Sequence, residues 1–363
     1  MTAHALGLVD RLGIVDGRQQ AKCVAEETIV LTGEGFVRVG ELARSVQVGA
    51  SALVASGSVT LAPSGAMVPL VQVSRSGSKS SLLLVTRRGV LRCSREHQVL
   101  TMRGLVAAGD LRVGEEIPPV PVPVGWVGCD RVVRVNIFGD GSKHSQAPML
   151  DPRGQAFITL DARWAYFAGV VAGDGTSSGA VGGVGIACGG GENYRLWRET
   201  LLAMCSDLGL PATLSRDNKS VRVGSRRVGA FLADLELSAA TRKRLAIPSW
   251  VLRGSESVVW AYLAGLIDTD GTVSPSGTTS ITSKHAEFVG EVALVARRLG
   301  MSANIEPCFN KTYSRWYFRI HFLASGLQLL LDKAPLRSEK KMKLAERVSR
   351  VRFPDRAQPN DNI

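Results

Sequence analysis

Two nine-residue segments share one pattern and constrain the fold more than any other feature of the chain. The first is Phe167–Gly175, FAGVVAGDG, and the second is Leu263–Gly271, LAGLIDTDG. Each continues an apolar stretch with helical spacing and ends in an Asp-Gly pair, at Asp174 and at Asp270, 96 residues apart. The chain therefore contains an internal duplication, whose unit is too long for a solenoid repeat and fits two half-domains related by a pseudo-twofold axis.

The predicted elements of the two copies correspond one by one. In the first copy, Asp161 is a candidate N-cap for the motif helix, and a second helix is predicted over Tyr194–Leu208. In the second copy, Ser255 or Ser257 is the candidate cap, and the second helix is predicted over Ala286–Leu299. Strand-like segments follow each second helix, so both copies alternate helices with strands.

Small residues inside the two motifs predict that the motif helices touch. The Ala168-Gly169 and Ala264-Gly265 pairs would let two helix backbones approach closely. The carboxylates at the ends of these helices would then converge. Two neighbouring carboxylates bind Mg²⁺ or Mn²⁺ well, because hard cations take oxygen ligands. For one Asp-Gly pair alone, an ordinary turn is the competing interpretation.

An excess of positive charge points to an anionic partner. The chain has 44 Lys and Arg against 32 Asp and Glu, which gives a formal net charge of +12 and a pI near 9.7. Nucleic acid is the commonest such partner, although an acidic membrane or solubility alone also fits the charge.

Several other classes of protein have little support. No stretch of about 20 apolar residues is present, and the first twenty residues do not form a secretory signal, so a membrane association is not expected. The six cysteines form no CxxC pair, which argues against a zinc site or a disulfide framework. We expect a cytoplasmic protein that is nucleoid-associated when it is bound to DNA.

The two motifs resemble those of the two-motif, single-chain LAGLIDADG homing endonucleases. The second motif departs from LAGLIDADG at one position, and the first keeps the Ala-Gly and Asp-Gly pairs. The resemblance covers about residues 160–345. It implies an α+β fold of two αββαββα halves in a monomer with internal pseudo-twofold symmetry. It also implies hydrolysis of a long double-stranded DNA site across the minor groove, with Mg²⁺ or Mn²⁺ and short 3′ overhangs.

The same resemblance implies the residues of the site. Asp174 and Asp270 would be catalytic and would bind metal together with Gly173 and Thr269. Asp268 has Ala172 as its counterpart in the first copy, and the family usually gives that position a structural role.

The positions of the active-site lysines depart from the family pattern. Many family members have a lysine shortly before an Ile-Pro pair, but Leu245 stands in that place here. Lys243, shifted by two residues, is the candidate in the first copy, and Lys341 is the candidate in the second. The shift leaves nicking of one strand open as an alternative to cutting both.

Basic residues cluster in the strand regions of both copies, with tyrosines and a tryptophan interleaved in the second. For any one of them, a solvated surface charge is the competing interpretation. As a group they predict the DNA-binding surface. The candidates are Arg216, Lys219, Arg222, Arg226, Arg227, Lys284, Lys311, Arg315 and Arg319.

The N-terminal region resembles the start of an intein, or Hint domain, in the segments Cys23–Thr32 and Gly89–Thr101. The resemblance implies that the Cys23 thiol attacks the preceding carbonyl, that His97 protonates the leaving nitrogen and that Ser94 orients the peptide. The closing splicing motifs are missing from the sequence. Splicing in cis is therefore not expected, whereas N-terminal self-cleavage or splicing with an intein partner in trans stays open.

We divide the chain accordingly. The predicted parts are an N-terminal arm at 1–22, an all-β Hint-like domain at 23–117, a Pro-rich linker and connecting segment at 118–159, the LAGLIDADG endonuclease domain at 160–350 and a flexible tail at 351–363. Two other functions remain as alternatives: a DNA-binding or nicking protein with impaired catalysis, and an intein fragment with an inert endonuclease.

Overall fold

The computed structural model describes most of the chain with some gaps. The described residues are 23–33, 35–53, 59–61, 67–70, 72–118, 125–126, 128–134, 157–177, 183–224, 226–237, 245–273, 279–333, 336–338, 342 and 345–346.

The region from residue 23 to 117 consists mainly of short antiparallel strands, because brief apolar runs alternate there with Gly-containing turns. The strands are β1 (Ile29–Thr32), β2 (Gly35–Arg38), β3 (Ser51–Leu53), β4 (Val59–Leu61), β5 (Met67–Pro69), β6 (Gln72–Ser74), β7 (Ser81–Val85), β8 (Val90–Ser94), β9 (Gln98–Thr101) and β10 (Gly104–Ala107). They pair in the order β2-β1-β4-β5 and as the pairs β3-β6, β7-β8 and β9-β10. A four-residue helix, α1 (Val39–Leu42), and a 3-10 turn at Ala108–Asp110 interrupt the strands, so the region is not purely β.

The connecting segment contributes a two-stranded ribbon, β11 (Arg131–Arg134) with β12 (Phe157–Leu160). The largely apolar run Val132–Ile137 predicts a strand, and its last three residues lie outside the described part. Two groups of the segment hydrogen-bond to the chain just before the second motif helix: the indole N–H of Trp126 donates to Gly254 O over 2.7 Å, and Cys129 N donates to Arg253 O over 3.0 Å. The segment is therefore fastened to the second half.

The first half has the predicted order αββαββα. Its elements are α2 (Ala162–Asp174), β13 (Gly175–Ser177), β14 (Val184–Ala187), α3 (Arg195–Asp207), β15 (Ala212–Leu214), β16 (Ser220–Val223) and α4 (Arg226–Asp234). The four strands form an antiparallel sheet in the order β13-β14-β16-β15. As predicted, the carboxylate of Asp161 caps α2, accepting hydrogen bonds from Arg163 N and Trp164 N.

The second half repeats this order after a short helix, α5 (Ser249–Leu252). Its elements are α6 (Glu256–Asp270), β17 (Thr272–Val273), β18 (Thr279–Ser283), α7 (Ala286–Arg298), β19 (Ala303–Asn310), β20 (Arg315–Phe322) and α8 (Ala324–Lys333). The sheet order is β17-β18-β20-β19, which matches the first half strand for strand. Ser255 occupies the N-cap position of α6, but its side chain makes no capping hydrogen bond and contacts Ser257 Oγ at 3.0 Å instead.

Helices α2 and α6 lie at the centre of the molecule. Nine consecutive residues of α2, from Trp164 to Ala172, and eleven of α6, from Val258 to Asp268, are buried. A helix that is apolar on all sides has to be covered on all sides, and here the two helices cover each other between the two sheets. The other face of each sheet stays exposed.

The N-terminal β region packs against the second half through a buried polar cluster. The guanidinium of Arg38 in β2 donates to both carboxylate oxygens of Glu291 in α7, over 2.9 and 3.1 Å. It also donates to Ile247 O over 2.7 Å and to Ser249 Oγ over 3.0 Å. Glu291 accepts a further hydrogen bond from Ile247 N, and Ser249 donates to Glu41 in α1. The cluster thus ties together the N-terminal region, the chain between the halves and the second half.

Candidate active site and DNA-binding faces

Helices α2 and α6 are in backbone contact at one glycine on each helix. A Cβ placed on Gly169 would lie 2.8 Å from Leu266 N and would overlap the carbonyl oxygen of Tyr262. A Cβ on Gly265 would lie 2.9 Å from Val170 N and would overlap the carbonyl oxygen of Tyr166. The two glycines make the same contact from opposite sides, so the pseudo-twofold axis passes between them. The glycine of each Ala-Gly pair therefore provides the predicted close approach of the two helix backbones.

The Asp-Gly pairs mark a change from helix to strand and are not reverse turns. Each helix ends on its aspartate, and the following glycine has extended backbone angles, with φ −75° at Gly175 and φ −70° at Gly271. Positive φ is therefore not the reason for glycine. A Cβ on Gly271 would lie 2.8 Å from Ile267 Cα, and one on Gly175 would lie 3.0 Å from Val171 Cα. Only glycine lets the chain fold back against the last helical turn and enter the sheet.

The residues just before the two acids are also in contact. A Cβ on Gly173 would lie 2.7 Å from Thr269 Cβ and 3.3 Å from Asp270 N. The Thr269 hydroxyl is held within its own helix, donating to Gly265 O and Leu266 O over 2.9 and 3.1 Å. Asp174 is half-buried and Asp270 is exposed. The structure therefore brings the ends of both motif helices together at the surface, with one carboxylate on each.

This pair of helix ends suits a divalent cation by its chemistry. The C-terminal end of a helix carries partial negative charge on its last carbonyl groups, and here two such ends each add a carboxylate. All the donors are oxygens, which Mg²⁺ and Mn²⁺ prefer. Within the described residues, no group of three or more His, Cys, Asp and Glu side chains comes together to hold a metal. A cation at this place would thus rest on two carboxylates and main-chain carbonyls.

Asp268 lies beneath this surface in a buried cluster. Its Oδ2 accepts hydrogen bonds from the Tyr166 hydroxyl over 2.7 Å and from Arg337 N over 2.6 Å. The guanidinium of Arg337 lies 4.5 Å from the centroid of the Tyr166 ring. Burial raises the pKa of Tyr166, and the negative charge of Asp268 raises it further. Asp268 therefore fixes both α2 and the C-terminal segment to α6.

Three of the nine predicted DNA-binding residues lie on the free faces of the two sheets, and four lie in turns. Arg222 is exposed on the free face of the first sheet, while its neighbours Val221 and Val223 are buried. Arg315 is exposed on the free face of the second sheet, and Arg319 there donates to Thr282 Oγ1 over 3.3 Å. The remaining exposed candidates lie in the turns that follow strands: Arg216, Lys219, Lys284 and Lys311.

The other two predicted DNA-binding residues lie in a helix. Arg226 and Arg227 open helix α4, because β16 ends at Val223 and Gly224 turns the chain with φ +120°. Their side chains lie outside the described residues. The predicted lysines, Lys243 and Lys341, also lie outside the described residues. Both remain predictions.

The segments that resemble an intein are adjacent in space. Ser94 N donates to Cys23 O over 3.0 Å, and Val24 forms an antiparallel bridge with Cys93. His97 is buried, and its amide N donates to Ser94 O over 3.1 Å. The Cys23 thiol contacts Ser76 Oγ at 3.0 Å. The backbone of the predicted nucleophile is thus paired with the segment that carries Ser94 and His97.

No local sequence pattern indicates several of the structural residues at these sites. The Arg38–Glu291 pair joins residues 253 positions apart, and the Tyr166–Asp268 pair joins residues 102 apart. The signal that could have found the second pair is the break in symmetry between Asp268 and Ala172.

Comparison with known proteins is informative for one half of the duplication. Residues 257–333 match the sequence model of the LAGLIDADG-like domain. No curated protein matches the chain in sequence. A helix long and apolar enough to cross a membrane is not found among the described residues.

Some solved structures are similar in part. The crystal structure of I-DmoI in complex with DNA and Ca is 15% identical, with a TM-score of 0.36 and coverage of 51% of this chain and 97% of that one. Mesophilic variants of the homing endonuclease I-DmoI are 14% identical with the same coverage and TM-score. Full-length DUF199/WhiA from Thermatoga maritima is 10% identical, with a TM-score of 0.36 and coverage of 53% and 61%.

Proposed function

We propose that this chain is a site-specific DNA endonuclease of the LAGLIDADG homing type, intein-derived, that hydrolyses phosphodiester bonds of a long double-stranded site. The observation that carries the proposal is the contact between the ends of the two helices on which Asp174 and Asp270 lie. That pair lies between two sheets whose free faces carry exposed basic side chains. The match of residues 257–333 to the LAGLIDADG-like domain supports the same assignment.

Electrostatics explain why such a site needs a divalent cation. Two carboxylates at the negative ends of two helices repel a phosphate group. We propose that Asp174 and Asp270, with the main-chain carbonyls of Gly173 and Thr269, hold Mg²⁺ or Mn²⁺. Bound there, the metal would lower the pKa of a water and offset charge on the leaving oxygen. The carboxylates themselves position that charge and need not exchange protons.

The lysines would complete the site. We propose that Lys243 and Lys341 orient the attacking water, one in each half. The nearest described residues on the same segments have different partners in the two halves: the Arg38–Glu291 pair holds Ile247, and Asp268 holds Arg337 N. We therefore propose that the two strands are cut at unequal rates.

Duplex DNA would lie along the two free sheet faces. Side chains that alternate along a strand reach base edges in the major groove, whereas arginines and lysines in the turns neutralise phosphates. Arg222 and Arg315 are suited to the first role, and Lys219, Lys284 and Lys311 to the second. The protein acts as one pseudosymmetric copy, because both acids are on the same chain.

The proposal is tested by selecting cut molecules from a random duplex library with Mg²⁺, followed by sequencing of the ends. We expect one long enriched site with short 3′ overhangs, and no cutting when EDTA replaces Mg²⁺. Selective retention of one duplex without any cutting would contradict the endonuclease and favour a DNA-binding protein. Enriched nicks on a single strand would restrict the activity to one half.

A second activity is supported by the pairing of Cys23 with Ser94. We propose that the Cys23 thiolate attacks the Lys22 carbonyl, the amide C–N bond breaks, a thioester forms and His97 protonates the departing amine. A thiol such as dithiothreitol would then release residues 1–22, unless an intein partner supplied in trans completes splicing. Mass spectrometry of the purified chain should show this loss, and Cys23→Ala should prevent it. An intact wild-type chain after prolonged thiol treatment would exclude the activity.

A further inference from the structure

The turn between β7 and β8 lies at the free edge of the second sheet. Strand β19 pairs only with β20 within that sheet, so its other edge is available. The carbonyl of Arg87 in the turn accepts a hydrogen bond from Ile305 N in β19 over 2.6 Å. The N-terminal β region therefore contacts the outer edge of the second sheet through this hydrogen bond, and no such main-chain hydrogen bond is found at β15 among the described residues.

The turn is rigid. Thr86 N donates to Gly89 O over 2.9 Å, and Thr86 Oγ1 accepts from Arg88 N and Gly89 N over 3.0 and 2.9 Å. The strand after it is docked on α7, where a Cβ on Gly290 would lie 2.8 Å from Val90 Cβ. A turn that is fixed in this way loses little conformational entropy when it binds a ligand.

Basic residues predominate around the turn. Residues 42–95 contain no Asp or Glu and seven basic residues, of which Arg87 and Arg88 are exposed in the turn. On the adjoining sheet, the chain has no acidic residue between Glu306 and Asp332 but carries Lys311, Arg315 and Arg319. The turn contacts β19 at Ile305, next to the exposed Glu306, and the basic residues of the adjoining sheet lie beyond that acid. The excess of basic residues on this surface is complementary to a polyanion.

We infer that the turn Thr86–Gly89 forms a third DNA-binding element, in which Arg87 contacts phosphates outside the second half-site. The inference rests on the proposed function. Strand β17 follows Asp270 directly, and β19 lies three strand spacings further out, about 14 Å away. Because DNA carries about one charge per 1.7 Å of duplex, phosphates are present wherever the duplex passes the turn. The contact exists on one side only, so it distinguishes the two ends of the site.

The test measures the salt dependence of binding to the duplex recovered by cleavage selection, in metal-free buffer. Arg87→Ala should lower the slope of log affinity against log salt by about 0.9, the value for one phosphate contact. The ratio of wild-type to variant affinity should then fall about threefold between roughly 50 and 200 mM salt. Arg87→Lys should keep the wild-type slope. Arg112→Ala, an exposed arginine of the same region outside the acid-free segment, is the control and should also keep it.

Hydroxyl-radical footprinting of the same complexes locates the contact. Arg87→Ala should lose protection at one end of the footprint and keep it at the other. If wild type binds and cuts the duplex but Arg87→Ala has the wild-type slope and footprint, the third element is refuted and the proposed endonuclease is unaffected. If wild type neither binds nor cuts the duplex library, the proposed function itself fails.

Discussion

Replacing Arg38 by Met should destabilise the whole chain, because Glu291 would remain buried as an unpaired charge. The side chain of Arg38 is 12% exposed and that of Glu291 is 5% exposed. Breaking a buried ion pair by removing one partner costs roughly 3–5 kcal/mol. Glu291 keeps the hydrogen bond from Ile247 N, so we expect Arg38→Met to lower the free energy of unfolding by about 3 kcal/mol, the lower end of that range.

The loss should depend on pH in a defined direction. Burial raises the pKa of Glu291, while Arg38 and the Ile247 amide oppose the shift. Without Arg38 the pKa in the folded protein rises further above the unfolded value of about 4.3. A carboxyl group with a raised folded pKa stabilises the fold below its unfolded pKa and loses that contribution as pH rises. The variant's loss in free energy of unfolding should therefore be larger at pH 8 than at pH 5. It should grow by up to about 1.4 kcal/mol per pH unit over the pH range in which Glu291 titrates.

The assay is urea denaturation followed by tryptophan fluorescence at both pH values. Arg195→Met, which removes an exposed arginine that pairs with Glu192 and Glu199, is the matched control and should cost less than about 1 kcal/mol. Adding Glu291→Gln to Arg38→Met should restore part of the stability and remove the extra pH dependence. A loss below about 1 kcal/mol for Arg38→Met, equal at both pH values, would show that Arg38 and Glu291 do not form a buried ion pair, since removing one partner of such a pair costs roughly 3–5 kcal/mol.

Further predictions concern the helix pair and its buried cluster. Gly169→Ala and Gly265→Ala should each lower stability by about 1–3 kcal/mol in thermal denaturation, because the new Cβ overlaps a main-chain carbonyl. Gly191→Ala is the control, because its new Cβ would meet an atom only at 3.9 Å. Equal effects at all three positions would contradict the close contact between the helices. Tyr166→Phe should cost about 1–3 kcal/mol in the same assay, since Asp268 Oδ2 loses one of its donors, and a neutral result would show that the hydroxyl does not support Asp268.

Much of the duplicated region could be predicted because its signals are local. The apolar spacing of α2 and α6, the Asp161 cap and the glycine pairs are each encoded within one helix, and their repetition after 96 residues gave the αββαββα order. The Asp-Gly pairs are correctly predicted as helix ends. Interpreting them as reverse turns would not predict that β13 and β17 begin there. That change depends on the steric contact with Val171 and Ile267, which a sequence does not display.

The buried polar contacts could not be predicted, because their partners are distant in sequence. Nothing near Arg38 indicates that it meets Glu291, and nothing near Arg87 indicates that its carbonyl meets Ile305. Charged residues such as Glu291 are ordinarily expected at the surface, so burial of the pair follows only from the tertiary arrangement. The roles of Lys243 and Lys341 remain predictions, because a catalytic role depends on where each lysine lies relative to Asp174 and Asp270.

We propose that Asp174 and Asp270 act together as one hydrolytic site. Single-turnover cleavage of the selected duplex by Asp174→Asn, Asp270→Asn and Asp207→Asn, with each strand followed separately, tests this proposal. Asp207 is the control, because it is an exposed aspartate at the end of α3, as the two acids are at the ends of α2 and α6.

A metal site stabilises the transition state by several kcal/mol, so each active-site variant should cut about 100-fold more slowly or worse. Duplex affinity in metal-free buffer should stay near that of wild type, and Asp207→Asn should cut normally. Cleavage of both strands at the wild-type rate by either Asp174→Asn or Asp270→Asn would contradict the account.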